Sequence, residues 1–115
     1  MTDVNQFLPL SPSVFHILLC LAEGERHGYA IKREIAKRTD GKLVLGAGAL
    51  YGAISKLLEQ ALIQESGERP DPHLDDERRR YYKLTPLGRR AAQAEAARMG
   101  ELVQLASLNL GFAKR

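Results

Sequence analysis

Residues 46–66 read GAGALYGAISKLLEQALIQES, and residues 79–88 read RRYYKLTPLG. In the first stretch Leu50, Ile54, Leu57, Leu58 and Ala61 recur at three- and four-residue steps, the spacing of one apolar helical face. The opposite face is Ala49, Tyr51, Gly52, Ser55, Lys56 and Glu59, and a helix facing only water has little use for Ala, Gly and Tyr there. Small side chains let a helix backbone approach another body closely. Residues 62–66 then read as a strand and 79–85 as a second, with Pro, Asp and charge between them as turn chemistry. The pair makes an antiparallel hairpin with a long polar tip. With Leu84 facing the core, alternation sends Tyr82 and Arg80 the same way and Tyr81, Lys83 and Arg79 outward.

Working back from this unit, Ser11-Pro12 supplies an N-cap and a Pro at the first helical position. Val14, Ile17, Leu18, Leu21 and Ala22 follow on one face, predicting a helix over 12–23 that Gly24 stops. His27-Gly28 opens a second, basic amphipathic helix, with Tyr29, Ile31, Ile35 and Ala36 set against Lys32, Arg33, Lys37 and Arg38. It ends near Thr39-Asp40-Gly41, where Gly can turn left-handed. Residues 42–46 are too short for a helix and read as a strand stub or an extended connection. Residues 1–9 show no period and read as a loose arm.

Working forward, Thr85-Pro86 repeats the start signal, and the chain stays helix-compatible to Leu110. Such a helix of roughly 25 residues is about 37 Å long, more than one flank of a small domain covers. Its distal stripe of Met99, Leu102, Val103, Ala106 and Leu110 lacks an intrachain partner, and a second copy of the chain is the simplest one. Gly100, within that helix, marks a bend or a close crossing. The expected organisation is therefore an arm over 1–9, a helical unit with a hairpin over 10–85, and a dimerisation helix and tail over 86–115.

Composition bounds the chemistry. A chain of 115 residues, 44% hydrophobic and 27% charged, supports one core. No apolar run approaches the length needed to span a bilayer, and the opening MTDVNQFLPL lacks the basic start and apolar stretch of a secretory signal, so a cytoplasmic location is expected. Cys20 is alone, which excludes an intrachain disulfide or a multi-Cys zinc site, and its Leu neighbours point to an inert core thiol. His16, His27 and His73 fall on a core helix, a helix start and a loop, without carboxylate spacing or a nucleophile elbow. His27 reads as a solvent-facing neighbour of a helix cap. His73 with Asp71 and Asp75 would clasp a metal only through a loop, and Gly46, Gly48 and Gly52 lack the context of a phosphate-binding loop. Catalysis is rejected, and no metal or cofactor is called for.

Net charge is +3 with a pI near 9.2, which permits a nucleic-acid partner without demanding one. Lys32, Arg33, Lys37, Arg38 and Lys42 lie close together, while Asp71, Asp75, Asp76 and Glu77 form an acidic stretch before Arg78, Arg79, Arg80 and Lys83. Architecture decides the matter. Three helices followed by a hairpin is the winged helix-turn-helix order, so the expected fold is mainly α with a small β-hairpin and a long C-terminal helix.

The residues that carry this order also resemble the PadR family of bacterial transcriptional regulators over about 80 residues. The matching pieces are Leu10-Ser11-Pro12, His27-Gly28-Tyr29-Ala30-Ile31, Gly48-Ala49-Leu50-Tyr51, Leu57-Leu58-Glu59 with Leu62-Ile63, and Arg80-Tyr81-Tyr82-Lys83-Leu84-Thr85-Pro86-Leu87-Gly88. The chain departs from the family pattern at Gly52, where the family has Pro, and at Ala61, where it has Gly. The resemblance implies a homodimeric repressor of the type with one C-terminal helix, released by a small molecule or a stress signal. Some relatives hold flat aromatic drugs between Trp residues, a device that a chain without Trp lacks.

Double-stranded DNA is then the expected partner, with Tyr29, Ala49, Tyr51, Ser55, Lys56, Arg79, Arg80 and Lys83 as its contacts. Tyr51 and Tyr29 have packing roles open to them as well, and the wing arginines could instead neutralise the acidic tip. Met99, Leu102, Val103, Ala106 and Leu110 are the expected dimer interface. A small-molecule effector between the first and last helices is implied by the resemblance alone. A winged-helix module that binds a protein through the same surfaces is the competing expectation.

Overall fold

Two Ser/Thr-Pro pairs set the helix starts that bracket the molecule. Ser11 Oγ accepts the Val14 amide at 3.2 Å and opens α1 (Pro12–Ala22); Thr85 Oγ1 accepts the Gly88 amide at 2.9 Å and opens α4 (Pro86–Leu110). Between them, in a computed structural model that describes residues 3–66 and 80–111, lie β1 (Arg26–His27), α2 (Gly28–Arg38), α3 (Ala47–Glu59), β2 (Ile63–Ser66) and β3 (Tyr81–Leu84). The architecture is the expected mainly helical one with a small antiparallel sheet.

Three local outcomes differ from the sequence reading. The sheet has three strands in the order β1-β3-β2, because Arg26 and His27 pair with Tyr82 and Tyr81 on the open edge of the hairpin. Residues 4–7, read as part of a loose arm, form a 3-10 turn whose Val4 and Phe7 are partly buried against the core. Ala61, assigned to the apolar face of α3, lies beyond the helix end and is exposed. There the Leu62 amide reaches back to the Leu57 carbonyl at 3.0 Å while Ala61 adopts φ +60°, the closing turn in which Gly is the usual residue. Residues 42–46 are an extended connection after the left-handed Asp40 and Gly41.

The core sits where α1, α2 and α3 meet the sheet and the first half of α4. Ile17, Leu18, Ile31, Ile35, Leu50, Ile54, Leu57, Leu62 and Ile63 are each at most 2% exposed. β2 runs antiparallel to β3 with Ile63 opposite Leu84 and Glu65 opposite Tyr82, so Tyr82 turns inward as the alternation requires. Cys20 is fully buried, and desolvation pushes its thiol above the ordinary range, as an inert core thiol should behave. Among the described residues no helix is long and apolar enough to cross a membrane.

Candidate nucleic-acid interface

The outer side of α3 is bare. Gly48, Ala49, Gly52, Ser55 and Lys56 are exposed, and a β-carbon built on Gly48 or Gly52 would meet nothing within 4 Å. Neither glycine has a positive φ, so neither packing within the chain nor backbone conformation asks for glycine there. The N-cap of α3 is Gly46, which offers no side-chain cap and leaves the first amides of the helix open to an outside acceptor.

Tyr51 and Lys56 stand on opposite flanks of this bare strip. Tyr51 is 47% exposed and leans over the start of α2, where a β-carbon on Gly28 would fall 2.7 Å from its Oη. Glycine at 28 is what seats the phenol. The ring borders a cavity of about 480 Å³, shared with Tyr29, Ser55, Glu65, Arg80 and Tyr82, between α2, α3 and the sheet. Tyr29 is 54% exposed, and the Arg33 guanidinium stacks 5.8 Å from its ring centre. Lys56 borders a separate groove of about 230 Å³, together with Phe7, Pro9, Leu10, Val14 and Gln60.

The structure thus brings Tyr29, Tyr51, Ser55 and Arg80 around one cavity, with Ala49 and Lys56 along the far side of α3. Lys83 is exposed on the sheet, and Arg79 lies outside the described residues, as does the acidic stretch with His73. Arg80 is partly neutralised by Glu65 at 3.2 Å. The basic face of α2 is likewise tempered: Arg38 bonds Glu34 at 2.8 Å and makes a short contact with Glu23, and the Arg38 guanidinium holds the Glu34 carboxyl below the usual range. Among the described residues no group of three or more His, Cys, Asp or Glu could hold a metal.

The distal half of α4 is apolar and uncovered. Leu102, Val103, Leu105, Leu108 and Leu110 are 50–82% exposed, Met99 is 42% exposed and Ala106 is partly so. Gly100 likewise meets nothing within 4 Å.

Sequence reasoning missed what two residues do. Glu95 is only 2% exposed; its carboxylate takes a two-pronged bond from Arg98, at 2.8 and 2.6 Å, and the Leu10 backbone beside it also favours the charged form. The Arg98 guanidinium beside it is the main cause that holds the carboxyl below its usual range. The signal was there, since Gly88, Ala91, Ala92 and Glu95 share one helical face. A cavity of about 280 Å³ adjoins the pair, lined by Leu10, Phe15, His16 and Met99, and His16 Nδ1 is buried without a hydrogen-bond partner among the described residues. The second residue is His27, read as a cap neighbour and found to be the cap itself: its Nδ1 accepts the Ala30 amide at 3.1 Å.

Comparison with known proteins now bears on this surface. The model of the transcriptional regulator PadR-like family matches residues 17–94. An uncharacterized 37.1 kDa protein of a Streptomyces fradiae transposon is 36% identical over 86 residues, covering 75% of this chain and 22% of that protein. The chain spans 22% and 64% of the lengths of two curated relatives it matches. A transcriptional regulator from Clostridium thermocellum is 27% identical with a TM-score of 0.64, over 98% of this chain and all of that one. A PadR family transcription regulator from Clostridium difficile, 20% identical, shares the fold with a TM-score of 0.73 over 88% of this chain and 100% of that one.

Proposed function

The chain belongs to the PadR-like family of transcriptional regulators, DNA-binding proteins rather than enzymes, and from that premise we propose that it is a homodimeric repressor reading one operator through α3. The observation that carries the reading is the bare outer strip of α3 between Tyr51 and Lys56. A helix fits the major groove of about 12 Å, and glycine on its outer side lets the backbone come close to base edges. Ser55 and Lys56 would contact bases or phosphates, while Ala49 would lie against a thymine methyl. The start of α2, with Tyr29 and Tyr51, would hold a backbone phosphate. Lys83, Arg79 and Arg80 would follow the backbone from the wing.

Dimerisation through Met99, Leu102, Val103, Ala106 and Leu110 would cover the exposed stripe of α4 and present two copies of α3 to successive turns of DNA. The cavity beside Glu95 and His16, next to that stripe, suits a small effector whose binding changes the angle between the two reading helices.

The test is affinity for DNA upstream of the protein's own gene, measured by anisotropy at two salt concentrations with unrelated competitor DNA. Tight binding that survives competitor supports the reading. Replacing Lys56 with Ala should weaken it and flatten the salt slope by about one unit. The alternative, a module that binds a protein, draws on the Arg80–Glu65 pair, which tempers the positive charge of the wing. Weak retention on DNA that ignores salt would favour it.

A further inference from the structure

His27 joins three elements. It ends β1, its Nδ1 caps α2 through the Ala30 amide at 3.1 Å, and its ring stands edge-to-face with Tyr81 of β3, 5.4 Å between centroids at 89°. Ser, Thr, Asp and Asn, the usual capping residues, keep an acceptor oxygen throughout the range near neutrality. Imidazole does not. Its capping nitrogen has one in-plane lone pair, and a proton placed there meets the Ala30 amide donor to donor. The resulting cation would also stand at the positive end of the α2 dipole.

We propose that His27 is a pH-sensitive cap, which ties α2 to the sheet while neutral and lets go of it when protonated. Among the described residues, these charged groups surround it. Across the cavity stand Glu65 of β2 and Arg80 ahead of β3, paired with each other at 3.2 Å. On its own strand Arg26 is bonded to Glu23 and to the Cys20 carbonyl, and just before that strand Glu25 accepts the Ser66 hydroxyl of β2 at 2.7 Å. The phenols of Tyr29 and Tyr51, from α2 and α3, and of Tyr81 and Tyr82, from β3, stand around it as well. The Tyr81 ring can attract a cation, which offsets part of the charge but restores no acceptor for Ala30. Opening the cap loosens the first turn of α2, where Gly28 seats Tyr51. The device concerns the α2–sheet junction, and its test does not depend on what α3 binds.

The experiment is an NMR titration of the full chain from pH 8 to 5, following the His27 ring proton between its two nitrogens and the hydrogen-exchange protection of the Ala30 amide. Protection of Ala30 should fall about tenfold in step with the His27 titration, as local opening replaces the bonded state. In His27→Asn, whose side-chain oxygen caps without titrating, it should stay level over the same range. An Ala30 amide that keeps its protection through the His27 titration overturns the proposal, as does an equal loss in the Asn variant. Should the Asn variant fail to fold, the wild-type titration decides alone.

Discussion

The backbone of α4 at Gly88 lies against the carbonyl oxygen of Leu62, so closely that a β-carbon on Gly88 would sit 1.9 Å from it. The same oxygen accepts the Thr85 amide at 3.2 Å and shares the Thr85 hydroxyl, 3.0 Å away, with the Ala61 carbonyl at 2.7 Å. Three groups at the head of α4 thus converge on one peptide at the entrance to β2. Gly88→Ala should lower stability by about 3 kcal/mol or prevent folding, because the obstructing atom is backbone and cannot rotate away. Urea unfolding measures this, and a loss under about 1 kcal/mol would show that the α4–β2 contact is loose.

Next to that contact, Ala61 holds a left-handed conformation with a side chain that disfavours it. Ala61→Gly should raise stability by about 0.5–1 kcal/mol, the relief of the left-handed strain less the added freedom of the unfolded chain. The change touches no DNA-facing group, so affinity for DNA should be unaltered; a lower melting temperature would contradict the strain.

Gly52 makes the opposite case. Alanine there meets nothing and should stabilise α3 by about 0.5–1 kcal/mol, yet under the proposed reading its methyl enters the space that base edges occupy. The expected signature is a higher melting temperature together with operator affinity reduced about tenfold or more. Unchanged affinity would mean that the bare strip is not the reading surface.

Glu95 gives the fold an acid-sensitive joint. Its carboxyl is held below the usual range, chiefly by Arg98, so the stability it adds is present above the unfolded value of about 4.3 and is lost as pH falls through the folded one. Glu95→Gln should lower the melting temperature by several degrees at pH 7, and the gap to wild type should narrow as the pH drops through the acid range. A gap of constant size from pH 7 to 3 would show that the charge contributes nothing.

The buried positions of α4 end at Glu95, so a chain stopped after Met99 keeps the whole described core. Under the proposed dimer, such a chain should sediment as a folded monomer and the full chain at twice the mass of one copy. A truncated protein that stays dimeric would move the interface away from residues 102–110.

How much of this was legible beforehand divides along physical lines. Both Ser/Thr-Pro starts and the end of α4 at Leu110 could be read, because capping and periodicity are local signals. The strand Arg26–His27 could not, since two residues have no period and become a strand only when β3 arrives beside them. For Glu95 the helical face it shares with Gly88, Ala91 and Ala92 was readable, but its ion pair was not: a carboxylate on an Ala-rich helix reads as solvent-facing until Leu10 and Arg98 are brought to it. The candidate interface was half legible. Small residues on α3 stood out in sequence, whereas the seat that Gly28 makes for Tyr51, and the pairing of Arg80 with Glu65, are tertiary facts.

Tyr51 and Lys56, on opposite flanks of the glycine strip, also bear on how α3 could turn about its own axis. Under the proposed reading, two polar handles astride a smooth rod would act like the pins of a plug, fixing its rotation within a groove more than its position along it. Loss of either would leave the protein at the same site while the rod rolls, so the footprint would keep its boundaries and the penalty for a wrong base would shrink.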